Sequence, residues 1–511
     1  MSKKFDIIII GTGAGGGTLL SKLAPTGKKI LVLERGDFIP KEKENWDTEE
    51  VFINGKYKTK DEWYDNEGDA FHPGQHYCVG GNTKVYGAAL FRLREKDFEE
   101  IKHKGGISPA WPISYRDLKD YYQEAEDLYH VHGLRNTDPT EPSESRDYRY
   151  GPIPHEPRVQ KLYDDLKELG LSPFPLPMGL REDDEEEKAH LVLDRFDGFP
   201  DPTESKADSH VVGVKPALSY ENVTLWRNAE VIKLNHNATG KKIEEVIVSR
   251  DGNEIAVSSD VVCLCAGAIN SAALLLKSTS EIYPNGLANN SDMVGRNYMC
   301  HNNTALLALS VKPNPTKFGK TFAVNDFYFG SKDFDYPMGQ FQMLGKSDPT
   351  MFKGDAPSFA PGITLEYMAE HALDFWLTSE DLPDPENRVE VKNGKLILHY
   401  KENNLEAHKQ LVKKLKQLLE KAGCQKHWLP NHIYLGKKIP IAGVAHQCGT
   451  ALMGSDPQKS VLDIWCKSHD VSNLFVVDGS FFPSSAAVNP GLTIMAMALR
   501  VGDYINNEIL N

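Results

Sequence analysis

Two short stretches of the sequence carry residue types that could do chemistry. His446 lies in AHQCGTALMG, and imidazole is the side chain best suited to accept a proton near neutral pH. The other stretch is GTGAGGG at residues 11–17, whose small residues could let the backbone approach a phosphate group. His446 alone could equally be a polar residue packed under a Gly-rich turn. The elements around both stretches must decide between these interpretations.

The N-terminal glycines sit between an apolar run and a helical pattern. Residues 5–10 are apolar and β-branched, as in a strand buried on both faces of a parallel sheet. Gly11, Gly13 and Gly16 follow in G-x-G-x-x-G register, and a second strand, ILVLERG, ends at Glu34. This order predicts a βαβ unit in which the helix N-terminus binds a pyrophosphate and Glu34 binds ribose hydroxyls. The motif does not separate NAD from FAD.

The carboxyl end of the chain shows a second strand, turn and helix. Residues 474–477 read as a strand, residues 478–480 as the turn that closes it, and Asn489 as the N-cap of a helix. Pro490 would then occupy the first helical position, where its missing N–H is not needed. Such a helix N-terminus could also stabilise the negative charge of a reduced flavin by about 0.3–1 kcal/mol.

These motifs occur together with others in a family-typical order. They are GTGAGG with Glu34, VGGNTKVYGAALFR, VCLCAGAINSAALLL, VGRNYMCH, HQCGTALMG and VVDGSFFPSSAAVNPGLT. With them the chain resembles, from end to end, the glucose–methanol–choline (GMC) family of FAD-dependent oxidoreductases. The resemblance implies an α/β fold in which a Rossmann-like FAD-binding domain, discontinuous in sequence, joins a substrate-binding domain built on an antiparallel sheet.

The resemblance also predicts how the chain is divided. Residues 1–45, 205–310 and 440–511 would form the FAD-binding domain. Residues 46–204 would supply a lid or cap and segments that contact the flavin, and residues 311–439 the substrate-binding domain.

Local patterns fill in this division. Residues 223–237 alternate like one strand beneath the FAD-binding domain, and ITLEYMA and LILHYK read as strands of the substrate-binding sheet. An amphipathic helix that ends at Gly423 is marked by its apolar face. That face consists of Leu411, Val412, Leu415, Leu418, Leu419 and Ala422.

The resemblance assigns roles to individual residues. The family pairs a histidine with a second histidine or an asparagine about forty residues later, and His446 and Asn489 occupy these places. His446 would take the proton of an alcohol, Asn489 would hold its oxygen, and flavin N5 would accept the hydride. General-base assistance is worth about 10²–10⁴ in rate. The predicted cofactor contacts are Gly11, Thr12, Gly13, Ala14, Gly16, Glu34, Arg35, Gly80, Gly81, Asn82, Thr83, Val231, Asp478, Gly479, Asn489, Pro490, Gly491, Leu492 and Thr493.

The substrate is expected to be a small-molecule alcohol, in particular a sugar, glycoside or polyol, with oxygen, a quinone or a redox partner as electron acceptor. FAD is expected to bind without a covalent link, although His76 is near enough in sequence to the glycines to be an alternative anchor. Three other functions stay open. They are a hydroxynitrile-lyase-type reaction on the same fold, catalysis only within a redox complex, and an NAD-dependent dehydrogenase.

Composition excludes some functions. The net charge of −14 disfavours nucleic acid as a partner, and no apolar run is long enough to span a membrane. The seven cysteines are scattered, with Cys263 and Cys265 on one face of a predicted strand, which suits reduced core thiols and a cytoplasmic location. No His/Cys spacing predicts a metal site. His301, His408 and His427 are expected to be structural or exposed.

Overall fold

The structure, a computed structural model, describes residues 3–143, 145–181, 192–353, 362–424 and 445–510. The helices of these residues, in chain order, are α1 (Ala14–Leu23), α2 (Tyr115–Leu128), α3 (Pro157–Glu168), α4 (Lys215–Ala217), α5 (Ala268–Lys277), α6 (Pro349–Lys353), α7 (Gly362–His371), α8 (Leu405–Lys421) and α9 (Gly491–Tyr504). The strands are β1 (Lys3–Ile10), β2 (Ile30–Leu33), β3 (Trp63–Tyr64), β4 (Ala70–Phe71), β5 (Ile101–His103), β6 (Gly106–Ser108), β7 (Val131–His132), β8 (Phe174–Pro175), β9 (Met178–Gly179), β10 (Val223–Trp226), β11 (Ala229–His236), β12 (Ile243–Arg250), β13 (Asn253–Leu264), β14 (Asn302–Leu309), β15 (Phe322–Val324), β16 (Gln340–Met343), β17 (Ala372–Ser379), β18 (Arg388–Lys392), β19 (Lys395–His399) and β20 (Leu474–Val476).

The first sheet contains the predicted βαβ unit. Its strand order is β10-β2-β1-β13-β12-β11, and β20 pairs in parallel with the end of β13. Strands β1 and β2 pair in parallel, with Ile7 opposite Ile30, and α1 connects them, which confirms the prediction. Residues 7–9 are fully buried, as predicted for a strand that is covered on both faces.

Helix α1 lies unusually close to the strand ends because its first turn carries glycines. A Cβ at Gly16 would lie 2.0 Å from the carbonyl oxygen of Gly11, at the end of β1. A Cβ at Gly15 would lie 1.8 Å from the carbonyl oxygen of Val477, just after β20. No side chain fits at either position, so the helix N-terminus is held directly against the carboxyl edge of the sheet.

The second sheet is antiparallel throughout, with the order β14-β17-β16-β15-β8, as the resemblance implied. The predicted amphipathic helix is present as α8, and Leu411, Leu415 and Leu419 pack in one core with Phe341 and Phe375 of this sheet. The helix ends before Gly423, as predicted, and the glycine there adopts a left-handed φ of 75°.

Two strand predictions were wrong. ITLEYMA forms α7, not a strand, because Leu365, Met368 and Ala369 recur at helical spacing and are all buried. Residues 223–237 form two strands, since Asn228 has a left-handed φ of 51° that breaks the extended chain between β10 and β11. LILHYK forms a strand, β19, as predicted, but β19 pairs with β18 and β3 in a separate sheet and not in the second sheet.

The segment predicted as a lid or cap is distributed over several parts of the fold. Helix α2 packs against α9, β8 joins the second sheet, and β3 and β4 join β18 and β19 in another sheet. Strand β14 pairs along its whole length with β17, so the second sheet already begins at Asn302, before the predicted boundary at residue 310. The boundary at residue 440 and His427 lie outside the described residues. The domain limits therefore stay a prediction.

A buried ion cluster ties the segment after Gly80 to α2. Arg92 donates from Nε and Nη2 to the two carboxylate oxygens of Glu126, at 2.7 and 2.6 Å. Arg135 donates to Glu126 Oε2 at 2.5 Å, and each of the three side chains is at most 3% exposed. Removing one of these side chains would leave the opposite charge of the others only partly compensated, at a place that water does not reach.

We expect the Arg92→Leu variant to lose about 3 kcal/mol of unfolding free energy, because Glu126 keeps only Arg135 as a partner. The matched control is Arg146→Leu, whose ion pair with Asp127 is long, at 3.8 Å, and involves a side chain that is 74% exposed. Such a pair contributes about 0–1 kcal/mol. Urea and thermal denaturation measure the unfolding free energy. An equal loss in the two variants would contradict a stabilising role of the buried Arg92–Glu126 pair.

Candidate functional site

A cavity of about 1220 Å³ lies at the carboxyl edge of the first sheet and extends to the second sheet. Ile10, Leu33 and Cys265 line it from the ends of β1, β2 and β13, which is where open parallel sheets bind ligands. Gln342 of β16 and Trp376 of β17 line it from the other side. The cavity therefore joins the two sheets through one continuous space.

The glycine loop forms one end of this cavity together with residues 80–83. Gly80 N donates to Thr12 Oγ1 at 3.0 Å, and the Cα of Gly13 would lie 3.2 Å from a Cβ at Gly81. Gly13 itself faces open space, since a Cβ there would meet no atom within 4 Å. The two predicted cofactor loops are thus brought together, with Gly13 turned toward the cavity.

Glu34 lies beside this loop with its carboxylate held in place. It accepts hydrogen bonds from Thr12 N at 3.1 Å, Thr12 Oγ1 at 2.5 Å and Gly36 N at 3.0 Å. Burial raises the pKa of the Glu34 carboxyl, and these hydrogen bonds oppose the rise. Arg35 stacks over the Tyr77 ring, 4.2 Å from its centroid, and pairs with Asp61 at 2.8 Å.

Four predicted cofactor contacts do not line the cavity: Gly16, Gly80, Leu492 and Thr493. Gly16 packs against the backbone of Gly11, and Thr493 exchanges a hydrogen bond of 2.8 Å with the hydroxyl of Tyr122. The other predicted contacts do line it. They are Gly11, Thr12, Gly13, Ala14, Glu34, Arg35, Gly81, Asn82, Thr83, Val231, Asp478, Gly479, Asn489, Pro490 and Gly491.

The C-terminal turn differs in detail from the prediction. Helix α9 begins at Gly491, one residue after the predicted Pro490, and Asn489 does not cap it. The Asn489 side chain instead accepts a hydrogen bond from Gln342 Nε2 at 2.8 Å. Asp478 closes the turn after β20 because its carboxylate accepts from Ser480 N and Gly267 N, both at 2.9 Å.

His446 and Asn489 meet at the cavity wall although 43 residues separate them in the chain. His446 Nε2 lies 3.2 Å from Asn489 Nδ2, and His446 Nδ1 lies 3.1 Å from His301 Nδ1. The prediction that His301 is structural or exposed missed this contact; its side chain is buried and its Nε2 lies 3.1 Å from the carbonyl oxygen of Ser485. The available signal was its place at the end of VGRNYMCH.

The imidazole of His446 is held in its neutral form. Burial is the largest cause of the fall in its pKa to about 3, and the Lys320 ammonium acts in the same direction. A neutral ring is the form that can accept a proton. Any negative charge that arrives in the cavity would raise this pKa again.

A buried ion pair, which the sequence analysis did not single out, forms another part of the wall. Lys320 Nζ donates to Asp197 Oδ2, and the two side chains are only 6% and 7% exposed. Asp197 Oδ1 accepts from Gly345 N at 3.1 Å, and the Lys320 ammonium lowers the pKa of the Asp197 carboxyl against the effect of burial. Gly87 has no space for a Cβ because this pair lies over it.

Other predictions concern the cysteines, metal ions and the membrane. All seven cysteines are buried and none forms a disulfide, so Cys263 and Cys265 are core residues as predicted. Within the described ranges, no three His, Cys, Asp or Glu side chains are grouped so that they could hold a metal ion. None of the helices in the described part of the chain combines the length and the apolar character needed to cross a membrane.

A dinucleotide-type sheet whose cavity ends at a His–Asn pair defines an oxidoreductase with a nucleotide cofactor. The N-terminal model of the GMC oxidoreductase family matches residues 5–303, and its C-terminal model matches residues 383–498. The chain belongs to the GMC oxidoreductase family. It is therefore an oxidoreductase that acts on alcohol groups, and its cofactor is FAD.

Individual relatives agree with this assignment over more than nine tenths of their length. The chain is 28% identical to 6'''-hydroxyparomomycin C oxidase of Streptomyces lividus, over 99% of this chain and 92% of the relative. It is 27% identical to 2-methyl-1,2-propanediol dehydrogenase of Mycolicibacterium austroafricanum, over 98% and 95%. A formate oxidase structure from Aspergillus oryzae RIB40 matches with a TM-score of 0.68 at 14% identity, over 100% and 99% of the chains, and shows the same fold.

The residues around the cavity fit FAD. Its volume of about 1220 Å³ exceeds the roughly 300–1,000 Å³ of ordinary ligand pockets, as a dinucleotide requires. Gly13 at the start of α1 leaves space for phosphate, Glu34 offers a carboxylate for ribose, and Val231 lines the same end. The turn at Asp478–Gly479 and residues 489–491 line the part nearer His446.

Two glycine variants separate cofactor contact from fold. Gly13→Ala is expected to fold normally but to bind FAD more weakly by about tenfold or more, because its Cβ enters the space next to the phosphates. Gly16→Ala is expected to lower the unfolding free energy by about 1–3 kcal/mol, because its Cβ meets a carbonyl oxygen. Flavin titration of apoprotein and thermal unfolding measure the two effects. Unchanged FAD affinity in Gly13→Ala would show that the glycine loop does not contact the cofactor.

Proposed function

We propose that this chain oxidises a CH–OH group of a sugar, glycoside or other polyol, with His446 as the base that takes the hydroxyl proton. The observation that carries this proposal is the contact between His446 Nε2 and Asn489 Nδ2, 3.2 Å apart at the wall of the cavity that reaches the glycine loop. FAD supplies the hydride acceptor at its N5 atom when it is bound in this cavity.

The orientation of both side chains suits an alcohol oxygen. Gln342 Nε2 donates to Asn489 Oδ1 at 2.8 Å, so the Asn489 amide presents its N–H groups toward His446. An alcohol oxygen placed between them could accept from Asn489 while its proton passes to His446 Nε2. A donor at this place also stabilises the negative charge that develops on the oxygen during proton removal.

The ion pair between Lys320 and Asp197 on the cavity wall favours a substrate with several hydroxyl groups. Lys320 and Asp197 line the cavity, and the charge of Lys320 reaches His446, whose pKa it lowers. Hydroxyl groups can donate to Asp197 and accept from Lys320, whereas an alkyl chain would cover the ion pair without offering it a hydrogen bond. The substrate named in 6'''-hydroxyparomomycin C oxidase is a hydroxylated compound, which supports the same class.

The finer features of the proposal concern the acceptor and the location. One relative is named as an oxidase, which supports oxygen as the electron acceptor. Another is named as a dehydrogenase, which supports a quinone or a redox partner. Comparing reoxidation of the bleached enzyme by oxygen and by a quinone decides between them. A cytoplasmic location is supported by seven thiols that are buried without a disulfide.

The His446→Ala variant tests the base. The holoenzyme should bleach when sugars, glycosides and polyols are added without oxygen, and the variant should keep its FAD but bleach about 10²–10⁴ times more slowly. The reason is that His446 is the imidazole in contact with Asn489, so the substitution removes the proposed base. Stopped-flow absorbance at the flavin bands measures the rate. An unchanged rate in the variant would exclude His446, and cleavage of substrate without bleaching would indicate a lyase.

The proposed role of the Lys320–Asp197 pair in binding hydroxyl groups is tested by comparing kcat/KM for two substrates. Lys320→Met should lower kcat/KM for a polyol by about ten- to a hundredfold relative to a simple primary alcohol, since each lost charged hydrogen bond is worth about 1.5–3 kcal/mol. The double variant Lys320→Met/Asp197→Leu avoids an unpaired buried carboxylate and should show the same change in ratio. An unchanged ratio in the double variant would show that the pair only stabilises the fold.

A further inference from the structure

His301 lies behind His446, on the side away from Asn489. Its Nε2 lies 3.1 Å from the carbonyl oxygen of Ser485, and its Nδ1 lies 3.1 Å from His446 Nδ1. A carbonyl oxygen only accepts hydrogen bonds, so His301 Nε2 carries a proton and donates it. The hydrogen bond between the two Nδ1 atoms then needs one proton, which belongs to either His301 or His446.

The other side of His446 decides which ring holds this proton. Asn489 Oδ1 is engaged by Gln342, so the amide nitrogen of Asn489 faces His446 Nε2 and donates to it. His446 Nε2 therefore accepts and carries no proton. A neutral His446 must then hold its proton on Nδ1 and donate it to His301 Nδ1. The directions agree along the whole chain from Gln342 through Asn489, His446 and His301 to Ser485 O.

The backbone of His301 is fixed independently of its ring. Its φ of 64° is left-handed, a conformation that histidine and asparagine adopt more readily than most residues. Asp381, fully buried, accepts from the backbone N–H groups of Cys300 at 2.8 Å and His301 at 2.9 Å. Tyr400 donates to the same carboxylate at 3.1 Å. The ring of His301 is thus set nearly perpendicular to His446, with an interplanar angle of 85°.

We propose that His301 is a positioning residue for His446: its Nδ1 lone pair keeps the proton of His446 on Nδ1 and leaves Nε2 free to accept the proton of the substrate. This inference rests on the proposed role of His446 as the base. Without His301, the His446 proton can move to Nε2, where it blocks proton acceptance, and the ring can turn away from Asn489. His301 also accepts from the imidazolium that forms when His446 is protonated.

Two variants at position 301 test this role. His301→Ala removes the acceptor and should lower the anaerobic reduction rate and kcat by about ten- to a hundredfold, with KM little changed, because substrate is not contacted. His301→Asn should restore most of the rate, because its Oδ1 can accept at the place of Nδ1 and asparagine tolerates the left-handed backbone. Equal losses in both variants, or a change in KM alone, would overturn the proposal.

A buried histidine away from the cavity provides a control for loss of activity caused by destabilisation of the fold. His408 bonds Thr304 Oγ1 at 2.8 Å and Ser379 Oγ at 2.9 Å, so His408→Ala should reduce thermal stability but leave kcat unchanged. A loss of kcat in His408→Ala as large as in His301→Ala would mean that the effect at position 301 is structural.

A measurement without turnover addresses the proton directly. NMR spectra of holoenzyme labelled with ¹⁵N-histidine report which ring nitrogen carries the proton, and the His446 signals are assigned by their loss in His446→Ala. The proton of His446 should reside on Nδ1 in the unmodified protein. It should shift toward Nε2 in His301→Ala. The same proton position in both proteins would refute the inference. If His446→Ala reduces FAD at the normal rate, the proposed function itself fails. If His446→Ala is slow while His301→Ala is normal, only the role of His301 fails.

Discussion

The site depends on the absence of side chains where α1 meets the strand ends. A Cβ at Gly15 would lie 1.8 Å from the carbonyl oxygen of Val477, and one at Gly16 would lie 2.0 Å from that of Gly11. The N-terminus of α1 and the turn after β20 can therefore touch, although one comes from the beginning of the chain and the other from its end. This contact puts the glycine loop and the segment that leads to Asn489 on the same cavity.

The second sheet positions the side chains of the proposed catalytic pair as well as forming part of the cavity wall. Gln342, on β16, holds the amide of Asn489, which belongs to the segment leading into α9. His301 immediately precedes β14 of the same sheet and holds the opposite side of His446. A displacement of the second sheet would thus turn both His446 and Asn489. The two sheets are coupled through side chains at the place where substrate would bind.

Sequence patterns predicted the parts of the fold whose causes are local. The strand, glycines and helix of residues 5–23 are read from neighbouring residues, and His446 and Asn489 from motifs around each. Lys320 and Asp197 have no such local signal, and the motif that ends at His301 does not reveal its contact with His446, because these roles come from partners more than a hundred residues away. Asn489 shows the limit most clearly. Its position before a helix predicted a cap, but tertiary hydrogen bonds to Gln342 and His446 use the side chain instead.

The Lys320–Asp197 pair reconciles two opposing requirements of the proposed function. A cation near His446 disfavours the imidazolium that a base must become, and Lys320 indeed lowers the pKa of His446. A polar substrate, however, needs a charged donor on the same wall. Asp197 resolves the conflict because its carboxylate neutralises the ammonium at contact distance, so the field at His446 is weakened while the N–H groups of Lys320 stay available. A lone lysine at this position would bind hydroxyl groups equally well but would oppose the proton transfer more strongly.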